Sequence, residues 1–201
     1  MSSQAKTIGV LALQGAFEAH AKALTAIGAT PILVRNPAQL DRLDGLILPG
    51  GESTTFLKHL ERDGFFTALD TFVRSTPTFG TCAGVILLAS EVLNPAQASL
   101  AVLDITVERN AYGRQIDSTI LTAQTALAGG PLEMVFIRAP RITRTGPSVE
   151  TLASRDQSPV LVRQNHILAA TFHPDLSLHS PEPDLRIHQY FLSIVAAHES
   201  H

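Results

Sequence analysis

Tryptophan is absent from the 201 residues, cysteine occurs once, and aromatic residues make up only 5% of the chain. A single cysteine cannot close an intrachain disulfide, so the fold is not stapled and a reducing compartment suits it. Met1 to Lys6 carry no signal-peptide layout, and the expected location is the cytoplasm. No apolar stretch reaches the ~20 residues of a membrane span, because polar residues, glycine or proline interrupt each one. Charged residues are also few, at 16%, and the net charge is only -3 with scattered lysines and arginines. That distribution leaves no basic footprint for nucleic acid or an anionic membrane. What remains is 45% hydrophobic residues, enough for one continuous core, and the expectation is a single domain over residues 1–201. Strands buried on both faces account for low charge together with high hydrophobicity, which indicates an α/β class.

Along the chain, Thr7 to Leu13 is an unbroken apolar run closed by Gln14-Gly15, and Ala16 to Ile27 then carries apolar residues at helical spacing. Pro31 to Val34 and Gly45 to Leu48 are two more short strands, the second ending at Pro49-Gly50-Gly51. Such βα crossovers require a parallel sheet. Helical patterns follow over Ser53 to Leu60 and Phe65 to Val73, then a strand at Thr78-Phe79, then a helix over Val85 to Leu93. Later runs at Val102 to Glu108, Met134 to Ile137, Val149 to Ala153, Val160 to Val162 and Ile167 to Phe172 read as antiparallel additions to the sheet. Asn94 to Leu100 and Ala126 to Pro131 read as loops, and Leu185 to Ala197 as a closing amphipathic helix.

Three places carry candidate chemistry. Gly80-Thr81-Cys82-Ala83-Gly84 sets the lone cysteine between glycines at a strand-to-helix junction. A nucleophile on such a turn projects from the carboxyl edge of the sheet, and the N–H groups after it face a developing oxyanion. The competing reading is a buried structural cysteine. Cleaving an amide also needs an acid for the leaving nitrogen, and imidazole is the usual choice. Of eight histidines, His173 stands out because it follows a strand-like run and precedes Pro174-Asp175. In an extended step residues 173 and 175 point the same way, so Asp175 can orient the ring; the competing reading is a strand-end histidine before a capping aspartate. His20, His59, His166, His179, His188, His198 and His201 have no comparable setting, and no pair has metal-ligand spacing beside Cys82. The third place, Pro49 to Thr54, has glycines that let backbone N–H groups approach a ligand, unless it is an ordinary helix entry capped by Ser53. It lacks the spacing of a Walker phosphate loop.

Gly9-Val10-Leu11-Ala12-Leu13-Gln14-Gly15, Pro49-Gly50-Gly51-Glu52-Ser53-Thr54-Thr55, Gly80 to Gly84, Val107-Glu108-Arg109-Asn110-Ala111-Tyr112-Gly113-Arg114-Gln115, Phe136-Ile137-Arg138-Ala139-Pro140 and Phe172-His173-Pro174 occur in this order. Together they resemble the glutaminase subunits of pyridoxal 5'-phosphate synthase, within the class I, triad-type glutamine amidotransferases. The resemblance implies a three-layer, flavodoxin-like domain with a mixed, mostly parallel sheet flanked by helices. It implies a catalytic set of Cys82 as thioester-forming nucleophile, His173 as proton shuttle and Asp175 as its support. It further implies a glutamine pocket of Gly51, Glu52, Ser53, Arg109, Ile137 and Arg138, with N–H groups of Gly51 and Ala83 as oxyanion donors. The guanidinium of Arg109 suits a bidentate grip on the substrate α-carboxylate, against an alternative surface ion pair with Glu108 or Asp117; Arg138 has a structural salt bridge as its alternative. One position departs from the family's His-Pro-Glu, since residue 175 is Asp, one methylene shorter.

The implied activity is hydrolysis of L-glutamine to glutamate and ammonia, without a cofactor on this chain. The ammonia would pass to a synthase subunit that builds pyridoxal phosphate from a pentose phosphate and a triose phosphate. The resemblance also implies activation on docking, by a backbone flip near Gly50-Gly51 with Gln14 and the first helix near the interface. Two other readings stand beside it: a cysteine hydrolase or glutaminase serving another acceptor, and a catalytically silent scaffold, for which Asp175 is the only support.

Overall fold

The computed structural model describes residues 5–62, 64–109, 118–177 and 184–198. Its first half alternates strand and helix: β1 (Thr7–Leu11), α1 (Phe17–Ala26), β2 (Thr30–Val34), a 3-10 turn (Pro37–Leu40), β3 (Gly45–Leu48), α2 (Ser53–Leu60), α3 (Phe65–Ser75), β4 (Thr78–Thr81) and α4 (Ala83–Leu88). The second half is strand-rich: β5 (Ala89–Leu93), β6 (Leu103–Glu108), β7 (Ser118–Ala123), β8 (Leu132–Ile137), β9 (Arg141–Thr145), β10 (Glu150–Arg155), β11 (Ser158–Gln164) and β12 (Ile167–Ala170), closed by α5 (Arg186–His198).

Seven strands form the main sheet in the order β10-β11-β12-β4-β3-β1-β2. From β12 to β2 neighbours run parallel, while β11 and β10 add antiparallel at one edge. Side chains of a strand alternate between faces, so the apolar runs feed two cores at once. In β3, Leu46 and Leu48 join the core under α2, α3 and α4, whereas Ile47 joins the core under α1 and α5 with Ile8, Val10, Leu24, Ile187 and Phe191. Helices therefore cover both faces of a mostly parallel sheet. Among the described residues no helix is long and apolar enough to cross a membrane.

Several local expectations are corrected. The apolar segment Val85 to Leu93 is not one helix: α4 ends at Leu88 and β5 begins at Ala89. Residues 85–88 are buried on every side, while Ser90 and Glu91 are exposed and Val92 buried, so the pattern leaves the helical period at that point. Val102 to Glu108 and Met134 to Ile137 do not extend the main sheet; β6 lies in a three-stranded sheet with β5 and β9, and β8 pairs with β7. These small sheets cap the two cores, with Leu103, Ile105 and Val107 on one and Leu132, Met134 and Phe136 on the other. Strand β12 stops at Ala170 rather than Phe172.

Parallel strands place all their carboxyl ends at one edge, where ligands of open α/β sheets bind. The segments leaving β1, β3, β4 and β12 thus emerge together and bring Gln14, Gly50 to Ser53, Cys82 and His173 to one rim.

Candidate active site

Cys82 leaves β4 with φ 47° and ψ -103° and directly precedes α4. A positive φ at a residue with a Cβ is strained and persists only where surrounding structure enforces it. Two contacts do so here. The Cys82 N–H donates to Ala170 of β12 at 2.9 Å, and Gly84 packs so closely on β3 that a Cβ there would lie 2.1 Å from the Leu48 carbonyl oxygen. Cys82 is 6% exposed, and its Sγ lies 3.8 Å from the Ile137 carbonyl. Ala83 opens α4, where the first backbone N–H groups have no partner inside the helix.

The His173 backbone is fixed by its N–H donating to Val135 of β8 at 2.8 Å. Its ring stands beside the thiol: a Cβ on Gly50 would meet His173 Cε1 at 2.4 Å and Cys82 Cβ at 3.3 Å. The bare backbone of Gly50 is what lets sulfur and imidazole share this space. Asp175 lies in a turn rather than an extended step, yet its Oδ1 is 3.5 Å from His173 Nδ1. At that separation the pair is an ion pair looser than a formed hydrogen bond, and neither Asp175 oxygen has a partner in hydrogen-bonding geometry among the described residues. Burial works against the imidazolium, but Asp175 and Cys82 outweigh it and raise the His173 pKa to about 10. Burial likewise opposes ionisation of Asp175, and His173 and His20 overcome it, leaving its pKa below the usual carboxylate range.

A group whose pKa rises on folding adds stability that is complete below its ordinary value and is lost as pH climbs through the folded value. For His173 the window runs from 6.5 to about 10. Asp175→Asn removes the anion that supports the cation, so the decline in urea midpoint across that window should be shallower in the variant than in wild type. Parallel slopes would show that Asp175 does not hold the His173 charge.

The loop after β3 faces the same cavity of about 230 Å³, whose lining includes Gly51, Glu52, Ser53, Cys82, Arg109, Ile137, Arg138 and His173. Glu52 caps α2, accepting from Thr54 N at 3.0 Å and Thr55 N at 2.7 Å. The Thr55 hydroxyl, with these amides, holds its pKa at about 2 against the opposing effect of burial. Ser53 is buried and donates to Gln97. Arg109 donates Nη2 to Thr54 Oγ1 at 3.0 Å and lies 4.0 Å from Glu52. Its alternative partner Glu108 instead accepts from Asn94. Asp117, together with motif residues 110–117, lies outside the described residues. Arg138 is exposed, with φ 44°. The loop is latched from β1's side: Gln14 exchanges two hydrogen bonds with the Glu52 backbone at 3.0 and 3.1 Å, and the Ala16 N–H donates to the Gly50 carbonyl at 3.3 Å.

Of the expected site residues, Asp175 and Ala83 lie behind the cavity and the others line it. Ile86, on the first turn of α4, also lines it and falls outside the expected set. Two buried histidines behind Asp175, which do not line the cavity, also fall outside that set. His20 Nε2 is 3.4 Å from Asp175 Oδ1 and 3.3 Å from Thr81 Oγ1, and His20 Nδ1 is 2.9 Å from His188 Nε2. Both rings are fully buried. Burial lowers the pKa of His20, with Asp175 opposing, and takes that of His188 to about 3. Their sequence signal is faint but present: each is a histidine on the apolar face of its helix, next to Ala23 and Leu24 in α1 and to Ile187 and Phe191 in α5.

Known proteins are similar to this chain over nearly its whole length. The model of the SNO glutamine amidotransferase family matches residues 10–197. The chain is 57% identical over 188 residues to the pyridoxal 5'-phosphate synthase subunit PdxT of Koribacter versatilis, covering 94% of this chain and 95% of that one. It is 50% identical to PdxT of Thermotoga maritima, covering 94% and 98%. A crystal structure of a glutamine amidotransferase superposes with a TM-score of 0.86 at 44% identity, over 94% of this chain and 98% of the other. With the family model spanning nearly the whole sequence, the chain belongs to the SNO glutamine amidotransferase family.

Proposed function

We propose that this chain hydrolyses L-glutamine to L-glutamate and ammonia and delivers the ammonia to a pyridoxal 5'-phosphate synthase subunit. The observation that carries the reading is the strained Cys82 beside an imidazole that Asp175 and the sulfur hold cationic, on a cavity that Arg109 lines. Nδ1 of His173 turns to Asp175, which leaves Nε2 for the sulfur. The thiolate attacks the side-chain amide carbon, and N–H groups of Ala83 and Gly51 receive the oxyanion. His173 then protonates the departing nitrogen, ammonia leaves, and a γ-glutamyl thioester remains. Water attacks the thioester as His173 takes its proton, which frees glutamate and restores the ion pair.

Arg109 would bind the α-carboxylate through its planar fork. Lysine keeps the charge but loses the bidentate geometry, so Arg109→Lys should raise the KM for glutamine about tenfold, the equivalent of roughly 1.4 kcal/mol, with kcat little changed. An unchanged KM would remove Arg109 from the substrate grip.

Docking would act through the latched loop. Gln14 and Ala16 hold the residue 50–52 backbone in one orientation, and a partner that reorients the Gly50-Gly51 peptide would supply the second oxyanion donor. One such donor is worth about 10² in kcat. Glutamate release should therefore rise by roughly that factor once the synthase partner is added. An isolated chain working at full speed would contradict the gating, and no release under either condition would contradict the glutaminase itself.

A further inference from the structure

The triad carboxylate faces two imidazoles. Asp175 is 4% exposed, and its Oδ1 lies 3.5 Å from His173 Nδ1 on one side and 3.4 Å from His20 Nε2 on the other. A buried carboxylate with too few donors surrenders its charge. The aspartate arm stops short of a full bond to His173, so a second donor is needed to keep it ionised. The geometry points to His20 as a positioning residue for the proposed glutaminase reaction, supporting Asp175 from behind while His188 sets the His20 tautomer; the inference rests on that functional reading.

The proton assignment follows from the contacts. One of His20 Nδ1 and His188 Nε2 must carry the hydrogen that joins them at 2.9 Å. If His20 carried it, a bare Nε2 lone pair would face the carboxylate and a buried N–H at His188 Nδ1 would have no acceptor. If His188 carries it, His20 is left with Nε2–H directed between Asp175 Oδ1 and Thr81 Oγ1, and the unpartnered atom is only the His188 Nδ1 lone pair. The second arrangement turns an N–H rather than a lone pair toward the anion at 3.4 Å, and burial favours the neutral form of both rings. Among the described residues, the titratable groups around the carboxylate are then His173, His20 and His188, with Cys82 beyond His173.

Two side chains separate this role from packing. Glutamine can place an amide N–H where His20 Nε2 stands, whereas asparagine reaches only the Nδ1 position. Glutamate release is measured in the presence of the pyridoxal 5'-phosphate synthase partner, as kcat and KM from pH 5.5 to 9. His20→Asn should lower kcat about 30-fold, less than the roughly 10² to 10⁴ contributed by proton transfer as a whole, with KM within about twofold. Its acidic limb should move up by about one pH unit, because a carboxylate that loses a donor protonates more readily. His20→Gln should stay within about threefold of wild type with the limb in place. His20→Phe, which keeps ring volume but offers no donor, replaces the asparagine variant if that one does not fold. Alkylation of Cys82 by iodoacetamide at pH 7, which needs neither glutamine nor partner, should slow about fivefold in the asparagine variant and not in the glutamine variant. Equal losses in both variants, or none in either, would overturn the role of His20 while leaving a glutamine-hydrolysing wild type intact. A wild type that releases no glutamate but follows the alkylation pattern would overturn the glutaminase reading and keep the positioning role.

Discussion

Cys82→Ala is expected to lower glutamate release by about 10⁴-fold or more, while Asp175→Ala keeps activity above background. The ranking follows from what each group supplies. In the proposed mechanism no thioester forms without sulfur, and the oxyanion donors and His173 would have no attacking atom to assist. Without the carboxylate the imidazole keeps its backbone anchor to Val135 and its neighbour Cys82, so proton transfer is weakened and not abolished. The third member of a triad is commonly the least costly to remove. An enzyme-coupled assay for glutamate with the synthase partner present separates the outcomes, and complete loss in both variants would contradict the ranking. The silent-scaffold alternative leans on the shortened residue 175, yet that carboxylate still comes within 3.5 Å of His173.

Gly84→Ala should destabilise the fold far more than Gly28→Ala, although each adds one methyl group. At residue 84 the Cβ would sit 2.1 Å from a main-chain oxygen of β3, and no rotamer can relieve a clash with backbone. Moving α4 away would shift Cys82 as well. Overpacking of this kind costs about 3 kcal/mol or more, which for a chain of this size lowers the melting temperature by roughly 10 °C. Gly28 has φ 82°, but open space surrounds the added methyl, and the cost reduces to about 1 kcal/mol of backbone strain. Thermal melts of the two variants that coincide would mean that α4 can retreat from the sheet without penalty.

What is legible in advance divides along physical lines. The buried strands β1, β3 and β4 announce themselves as short apolar runs ended by glycine or a small polar residue, and the Cys82 turn by its flanking small residues, because both signals are local. The boundary between α4 and β5 is hidden, since an unbroken apolar run satisfies helix and buried strand equally. Strand β7, with Thr119, Ile120 and Leu121 in succession half-buried before the exposed Thr122, lacks the clean alternation of a sheet with one dry face. His20 escapes a sequence reading for a different reason. Its partners Asp175 and His188 lie in distant parts of the chain, 168 residues away in the case of His188, and nothing in the neighbourhood of Phe17 to Ala26 betrays that the ring will meet a carboxylate.

Strand β12 completes the register beside β4, where Ala170 faces Thr81 and receives the Cys82 N–H. The sulfur-bearing turn is synthesised long before that partner leaves the ribosome. Until β12 and the residues after it dock, the turn has its packing on β3 but lacks the Ala170 acceptor and the His173 ring of the proposed mechanism. The proposed ammonia release thereby requires segments from both halves of the chain to have closed on one another.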